Sequence, residues 1–358
     1  MQAALDDLAE GVRAAAARNQ PLQIRGGGTK DFYGNPARGD LLDPRGHTGI
    51  VDYVPTELVV TVRGGTPLAE LEEALDVRGQ MLAFEPPHFG AGATVGGCVA
   101  AGLAGPRRTS FGASYGGVRD FVLGAKIIDG RGQLLSFGGT VMKNVAGYDV
   151  ARALAGSLGI LGVIVELSVK VLPKPVRETT LRLHLDEAAA LTRVNEWGGL
   201  PLPISATAWH DGALHVRLSG AEAAVQAAAL RLGGEALERS QADAFWRGVR
   251  EHTHPFFAVN APLWRISVPS TTGPLQLGGA QLFEWGGALR WLRSDMPGTQ
   301  LRERVAAAGG HATLFRGGDR SVGAFTPLAP ALLAIHKRLK LEFDPEGVFN
   351  PGRMYENL

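Results

Sequence analysis

Two glycine-rich stretches roughly seventy residues apart, Arg25-Gly26-Gly27-Gly28-Thr29 and Thr94-Val95-Gly96-Gly97, are the part of this chain best suited to holding an anion. Glycine reaches positive φ and carries no Cβ, so consecutive main-chain N–H groups can converge on a phosphate as a concave nest. One glycine triplet would serve any tight turn. Two of them, each following an apolar or extended run, suggest a clasp around a single pyrophosphate. Neither stretch is a Walker A loop, because Lys30 is followed by Asp31 rather than Ser or Thr, and neither has the Gly-x-Gly-x-x-Gly spacing of a dinucleotide fingerprint. The residues after Gly28, Thr29-Lys30-Asp31-Phe32-Tyr33-Gly34-Asn35-Pro36, are loop chemistry without helical periodicity. The phosphate site is therefore expected in a loop and not at a helix end. Gly27 and Gly96 are the positions where positive φ and close backbone approach should exclude a side chain.

Other reactive side chains are few. Cys98 is the only cysteine, so internal disulfides, cysteine-based zinc sites and cysteine-ligated iron-sulfur clusters are excluded within this chain. Following directly on the second glycine stretch, Cys98 could be a tether or redox thiol. The sequence Gly97-Cys98-Val99-Ala100-Ala101 favours a small packed residue. His252-x-His254 has the alternation that places two imidazoles on one side of a strand, but Pro255 and the helical pattern before it favour a satisfied or solvent-facing pair over a metal site.

The elements that must position these groups fit a chain of 358 residues with 45% hydrophobic and 20% charged side chains, long enough for two cores. Its 49 glycines, nearly twice the usual share of roughly 7%, mark it as loop-rich. A formal charge of +1 provides no field for nucleic acid, so an anionic ligand must be held locally. The N-terminus carries Asp6, Asp7 and Glu10 among Leu5, Leu8 and Val12, an amphipathic helix rather than a signal peptide. No apolar run approaches the ~18 residues of a membrane span. The expected location is the cytoplasm.

Strands are expected at Leu22-Gln23-Ile24, 58–62, 81–84, 122–128, 133–137 and 163–172, with the Asp129-Gly130 turn joining two of them as a hairpin. A helix after Gly65 would be capped by Thr66, begin at Pro67 and end at Gly79. Pro173 and Pro175 close this first region. From about 176 to 322 short strands (264–268, 288–292, 312–315) alternate with helices (221–232, 300–308), an α+β pattern. A helix at 329–341 then leads to a turn-rich tail expected to return to the first region. The expected division is 1–175, 176–322 and 323–358.

Read in order, the first glycine loop, Thr94-Val95-Gly96-Gly97, Tyr115-Gly116-x-x-Arg119-Asp120, Lys143-Asn144-x-x-Gly147-Tyr148-Asp149, Gly156-Ser157-x-Gly159-x-Leu161-Gly162 and Asn350-Pro351-Gly352-Arg353 resemble the FAD-binding proteins of the vanillyl-alcohol oxidase superfamily. Over nearly the whole chain, segments such as Glu85-Pro86-Pro87-His88, Leu263-Trp264-Arg265-Ile266-Ser267 and Gly309-Gly310-His311-Ala312-Thr313 are similar to the E-subunit family of bacterial glycolate oxidases. The resemblance implies an α+β fold: a two-subdomain PCMH-type FAD domain, a smaller cap with a ferredoxin-like antiparallel sheet, and a C-terminal tail returning to the FAD domain. It implies FAD lying extended, its pyrophosphate between the glycine loops and its isoalloxazine at the cap. The contacts it maps are Gly26, Gly27, Gly28, Thr29 and Lys30 on the first loop, Pro86, Thr94, Gly96 and Gly97 on the second, then Tyr115, Asp120, Gly147, Tyr148, Asp149, Gly162, Ile164 and Asn350. Where many relatives tether flavin through a histidine, this chain has Thr29, which implies non-covalent FAD.

The implied reaction is oxidation of a 2-hydroxy acid, glycolate to glyoxylate. It needs a base for the hydroxyl proton and a cation for the carboxylate. His311 is the candidate base among nine histidines, with a structural role the alternative. Arg265 and Arg316 are the candidate carboxylate anchors, since a guanidinium fork matches a carboxylate, with salt-bridge roles the alternative. The implied partners are the glycolate oxidase D (flavin) and F (iron-sulfur) sister subunits, any attachment to the inner membrane being made through them. A relay or assembly role, with substrate oxidised on the D sister, is the alternative. No metal site is expected.

Overall fold

The computed structural model describes residues 2–107, 116–140, 149–258 and 260–358. Its first layer is a five-stranded antiparallel sheet in the order Ile50–Val54, Val59–Arg63, Val163–Lys170, Val122–Ile128, Leu134–Gly138. The hairpin at Asp129 forms as expected. The Asp129 carboxylate accepts the amides of Arg131 and Gln133 at 3.0 and 2.8 Å, which fixes the turn. Val60, Val62, Ile127 and Leu167 are fully buried beneath the helix Leu68–Asp76, whose Leu68, Leu71 and Leu75 fill the same core. Thr66 does not cap this helix; its hydroxyl instead accepts from Gly49 N at 2.9 Å. The strand expected at 81–84 is only Gln80–Met81, because Glu85 N turns back to Leu82 O and Pro86-Pro87 supply no donors.

A second layer is an eight-stranded antiparallel sheet in the order Glu235–Ala236, Arg177–His184, Ala213–Gly220, Ile204–His210, Ala280–Glu284, Leu289–Arg293, Leu263–Ser267, His311–Arg316. The expected antiparallel cap sheet is present and wider than the sequence suggested. Its pleat separates two faces. Trp264, Ile266, Leu292, Ala312 and Leu314 pack under the helix Gly298–Ala307, whereas Leu263, Leu289, Trp291 and Phe315 turn toward Tyr33, Ala101 and Leu103 of the first region.

The two regions are also tied by charge. Arg107 donates to Glu85 and, at 2.8 Å, to Glu178, while Arg217 reaches Glu85 at 2.9 Å and Ser219 donates to Glu178 at 2.6 Å. Burial would raise the Glu85 pKa, but Arg217 and Arg107 outweigh it and hold the carboxyl at about 2.

The tail returns to the first region as expected. After the helix Pro330–Phe343, the buried Lys340 ammonium donates to Asp344 at 2.6 Å, Phe349 O at 2.7 Å and Ile160 O at 2.9 Å. Asp344 accepts the amides of Val348 and Phe349, and Phe349 bridges Leu22 in parallel. Asn350 then accepts from Ile24 N at 2.8 Å and donates to Leu158 O at 2.6 Å, directly before the first glycine loop.

Candidate functional site

The first glycine loop leaves the strand Leu22–Ile24 and is fixed from three sides. Arg25 pairs with Asp31 at 2.6 Å. Arg353 from the tail donates to the carbonyls of Asn35 and, at 2.9 Å, Asp31. Lys30 Nζ donates to His88 O at 3.2 Å, and burial lowers its pKa. Within this frame the five consecutive amides of residues 26–30 donate to no protein acceptor among the described residues. Five unspent donors in succession, opening on a cleft, are the fit test for a diphosphate, and the loop meets it.

The glycines serve this loop differently from the sequence expectation. Only Gly28 has positive φ, at +71°; Gly26, Gly27, Gly96 and Gly97 do not. Their requirement is proximity. A Cβ on Gly27 would be built into the Gly92 carbonyl, one on Gly26 would lie 2.5 Å from Thr94 Oγ1, and one on Gly96 would lie 2.9 Å from Gly64 O.

The second stretch is not a loop. Thr94 caps the helix Val95–Ala101, accepting from Gly97 N at 3.2 Å, and Gly96 and Gly97 form the first turn. Its amides are already spent: Val95 on Thr66 O, Gly96 on Gly64 O, Cys98 on Thr94 O. The expected two-loop clasp is thus asymmetric. The first loop supplies donors, and the second supplies a side-chain-free wall.

Two adjoining clefts run along this wall. One is lined by Arg25, residues 26–31, Thr94, Gly97, Ala100, Ala101, Leu158, Asn350 and Arg353; the other by Gly26, Pro44, Gly64, Thr94, Gly96, Gly97, Gly159, Gly162 and Ile164. Of the mapped contacts, Gly26, Gly27, Gly28, Thr29, Lys30, Thr94, Gly96, Gly97, Gly162, Ile164 and Asn350 therefore share one continuous surface. Pro86 is buried beyond it, Asp120 accepts from Gly117 N at 2.7 Å within its own turn, and Asp149 pairs with Arg152 at 2.9 Å. Tyr115, Gly147 and Tyr148 lie outside the described residues. Arg353 and Leu158 were not singled out from sequence, although both fall in or beside quoted motifs. Cys98 is buried, and burial pushes its thiol up to about 12, in keeping with a packed residue.

A second constellation lies beyond Lys30, whose ammonium sits 5.7 Å from the Phe89 ring. Phe32, Phe89, Phe257, Trp291 and Phe315 pack as an aromatic cluster between the loop and the cap sheet. Arg265 lies over Trp285 at 5.3 Å and Arg316 over Phe32 at 4.3 Å. Strand parity alone would turn Arg316 away from Arg265. A bulge at Phe315 instead sets Arg316 opposite Leu263, on the face Arg265 shares with Thr313. Neither arginine has a carboxylate or hydrogen-bond partner among the described residues. The salt-bridge alternative is therefore not realised.

Near these cations stand three titratable groups. His311 is exposed at the start of its strand, its pKa lowered by burial of the ring and by Arg265. Glu284, missed from sequence, is buried and accepts from Trp291 Nε1 at 2.7 Å; burial pushes it up to about 7 against that bond and Arg265. His252 is the left-handed cap of the helix Arg239–Glu251 and stacks on Phe257 at 3.9 Å, far from a solvent-facing pair with His254, which caps its own turn at Phe256 N. No group of three or more His, Cys, Asp or Glu is placed to share a metal ion among the described residues.

Residues 3–153 match the FAD binding domain family. Glycolate oxidase subunit GlcE of Escherichia coli is 51% identical over 98% of this chain and 97% of its own length. The chain belongs to the GlcE family of FAD-binding, vanillyl-alcohol oxidase-type proteins. Glycolate oxidase subunit GlcD of Bacillus subtilis is 30% identical over 53% of this chain and 40% of its own length. Among solved structures, an alkyldihydroxyacetonephosphate synthase superposes with a TM-score of 0.67 at 14% identity, over 96% of this chain and 75% of that one, which shows the fold. As a GlcE-family member the chain is an FAD-dependent oxidoreductase in kind.

Proposed function

We propose that this chain is the FAD-carrying E-type subunit of a glycolate-oxidising assembly and helps convert a 2-hydroxy acid to its 2-oxo acid. In this reading residues 1–175 and 323–358 hold the cofactor, and residues 176–322 cover its reactive end. The amides of residues 26–30 grip the pyrophosphate against the Gly96-Gly97 wall, and Asn350 seats the loop. Thr29 offers no ring nitrogen for a covalent tether, so FAD is bound non-covalently. When bound, FAD supplies the two-electron acceptor for hydride from the carbinol carbon. Arg265 and Arg316 orient the substrate by its carboxylate, the aromatic cluster excludes water, and an imidazole on the same face takes the hydroxyl proton. His311 is the residue the sequence nominates for that last task. The observation that carries the reading is the pair of co-facing, unpaired guanidiniums reached from the cofactor cleft through Lys30.

With Cys98 as its only cysteine, the chain has no cluster ligand set of its own, which supports onward transfer to a D-type flavin subunit and an F-type iron-sulfur subunit. No described helix is long and apolar enough to cross a membrane; a cytoplasmic complex, attached to the inner membrane through its partners, fits that reading. Acid precipitation of the purified chain should leave a yellow supernatant. Anaerobic glycolate should then bleach the flavin of the intact chain in stopped flow. Bleaching only when a D-type subunit is added would assign this chain the relay role instead.

A further inference from the structure

We infer that His252, rather than His311, receives the substrate's hydroxyl group and so selects 2-hydroxy acids over simple carboxylic acids. The inference rests on the carboxylate-anchor reading of Arg265 and Arg316 and adds the group that reads the neighbouring carbon.

Four observations converge on this ring. Its centroid lies 4.6 Å from that of Trp291, 5.0 Å from Phe89 and 5.3 Å from Phe315, so the imidazole is part of the aromatic cluster. Its position is rigid: the plane lies parallel to Phe257, within 1°, and the backbone is locked at φ +55° where the helix Arg239–Glu251 ends. Neither ring nitrogen has a hydrogen-bond partner among the described residues, and Nδ1 is shut off from solvent. Nε2 is not enclosed in this way, so it is the ring nitrogen left for a ligand hydroxyl, and a hydrogen bond there is worth on the order of 1 kcal/mol. Arg316 and Arg265 are the charged groups that bear on it most; after burial itself, they hold its pKa well below the usual histidine value. The ring is therefore a neutral acceptor at pH 7, beside two cations that a carboxylate would bridge.

His311 lacks this arrangement. It stands exposed at the strand's first residue, outside the ring contacts that enclose His252. The segment that places His252 is itself tied to the loop side. The Glu251 carboxylate accepts the amides of His88 and Phe89 at 3.0 and 2.9 Å, so the imidazole and the Phe89 wall are held as one piece.

A 2-hydroxy acid placed here puts its carboxylate between the guanidiniums and its hydroxyl on Nε2 of His252. An acid without the hydroxyl keeps the first contact and leaves the imidazole unsatisfied. The expected discrimination is about tenfold, the worth of one neutral hydrogen bond in an enclosed site.

The test uses the full-length FAD-loaded chain with its flavin pre-reduced under anaerobic conditions, so that no turnover occurs. Calorimetric titration with glycolate and with acetate gives the preference directly. Wild type should bind glycolate about tenfold more tightly. H252F, which keeps the stack on Phe257, should bind both acids with equal affinity and leave acetate affinity unchanged. H252N, whose side chain tolerates the left-handed backbone, provides a second variant if the phenylalanine perturbs folding. Equal weakening of both acids in H252F and H252N would overturn the inference, as would loss of the preference in H311A with its retention in the His252 variants. Binding of both acids that is insensitive to R265M and R316M would overturn the anchor reading itself, a result distinguishable from either of the others.

Discussion

Replacing Gly27 by alanine should abolish FAD binding while leaving the protein folded. The added Cβ would be built into the Gly92 carbonyl, backbone against backbone, so no side-chain rotation can relieve it. The loop must move away, and its amides move with it. Five amides of residues 26–30 are available to the diphosphate. Each hydrogen bond to a charged group contributes about 1.5–3 kcal/mol. Displacing two of them costs about 3–6 kcal/mol, which is roughly 10²- to 10⁴-fold in affinity. Gly96→Ala forms the graded comparison: its Cβ would stand 2.9 Å from the backbone oxygen of Gly64, closer than side-chain carbons come, so backbone must shift there too, though by less than at Gly27. Its effect on affinity should be smaller than that of Gly27→Ala. Gly139→Ala, whose Cβ meets nothing within 4 Å among the described residues, should bind normally. Fluorescence titration of FAD into the cofactor-stripped variants, with melting curves for each, separates loss of binding from loss of fold. Normal flavin content in Gly27→Ala would refute the view that this backbone contact sets the position of the donors.

Three other perturbations test the frame. Lys340→Met should destabilise the protein by about 3–5 kcal/mol in urea unfolding, because it strands the buried Asp344 charge and releases two carbonyls. Glu85 has a folded pKa of about 2, below its unfolded value near 4.5, so its stabilisation is fully present above 4.5 and is lost as pH falls toward 2; melting temperature in that window should drop less steeply for Glu85→Gln than for wild type. Cys98 should resist thiol reagents at pH 8 in the native state and react on unfolding, and Cys98→Ala should retain its flavin.

Much of the first region was legible in the sequence because its signals are local. Leu22–Ile24 and the Asp129 hairpin combine β-branched or apolar runs with unambiguous turns, and both formed where expected. The cap was harder to read. Arg177–His184 and Ala213–Gly220 mix apolar residues with Arg, His and Thr, so their strand character depends on pairing partners distant in sequence. Thr94-Val95-Gly96-Gly97 looks like a turn because glycine disfavours helices; burial and the Thr94 cap override that preference. In the site, the amides of residues 26–30 follow from composition. The shared face of Arg265 and Arg316 does not, because it depends on one bulged residue that no pattern announces. His252 read from sequence only as half of a satisfied or solvent-facing pair with His254, since the four rings around it come from separated segments.

The bond from Ile24 N to Asn350 spans 326 residues. A ribosome must therefore make the whole cap before the seat beneath the first glycine loop can close. Cofactor loading is consequently a late event in the life of the polypeptide, and nascent chains halted within the cap should emerge colourless however much FAD surrounds them. Fusing a bulky tag close behind Asn350 would interfere with flavination long before it disturbed either sheet.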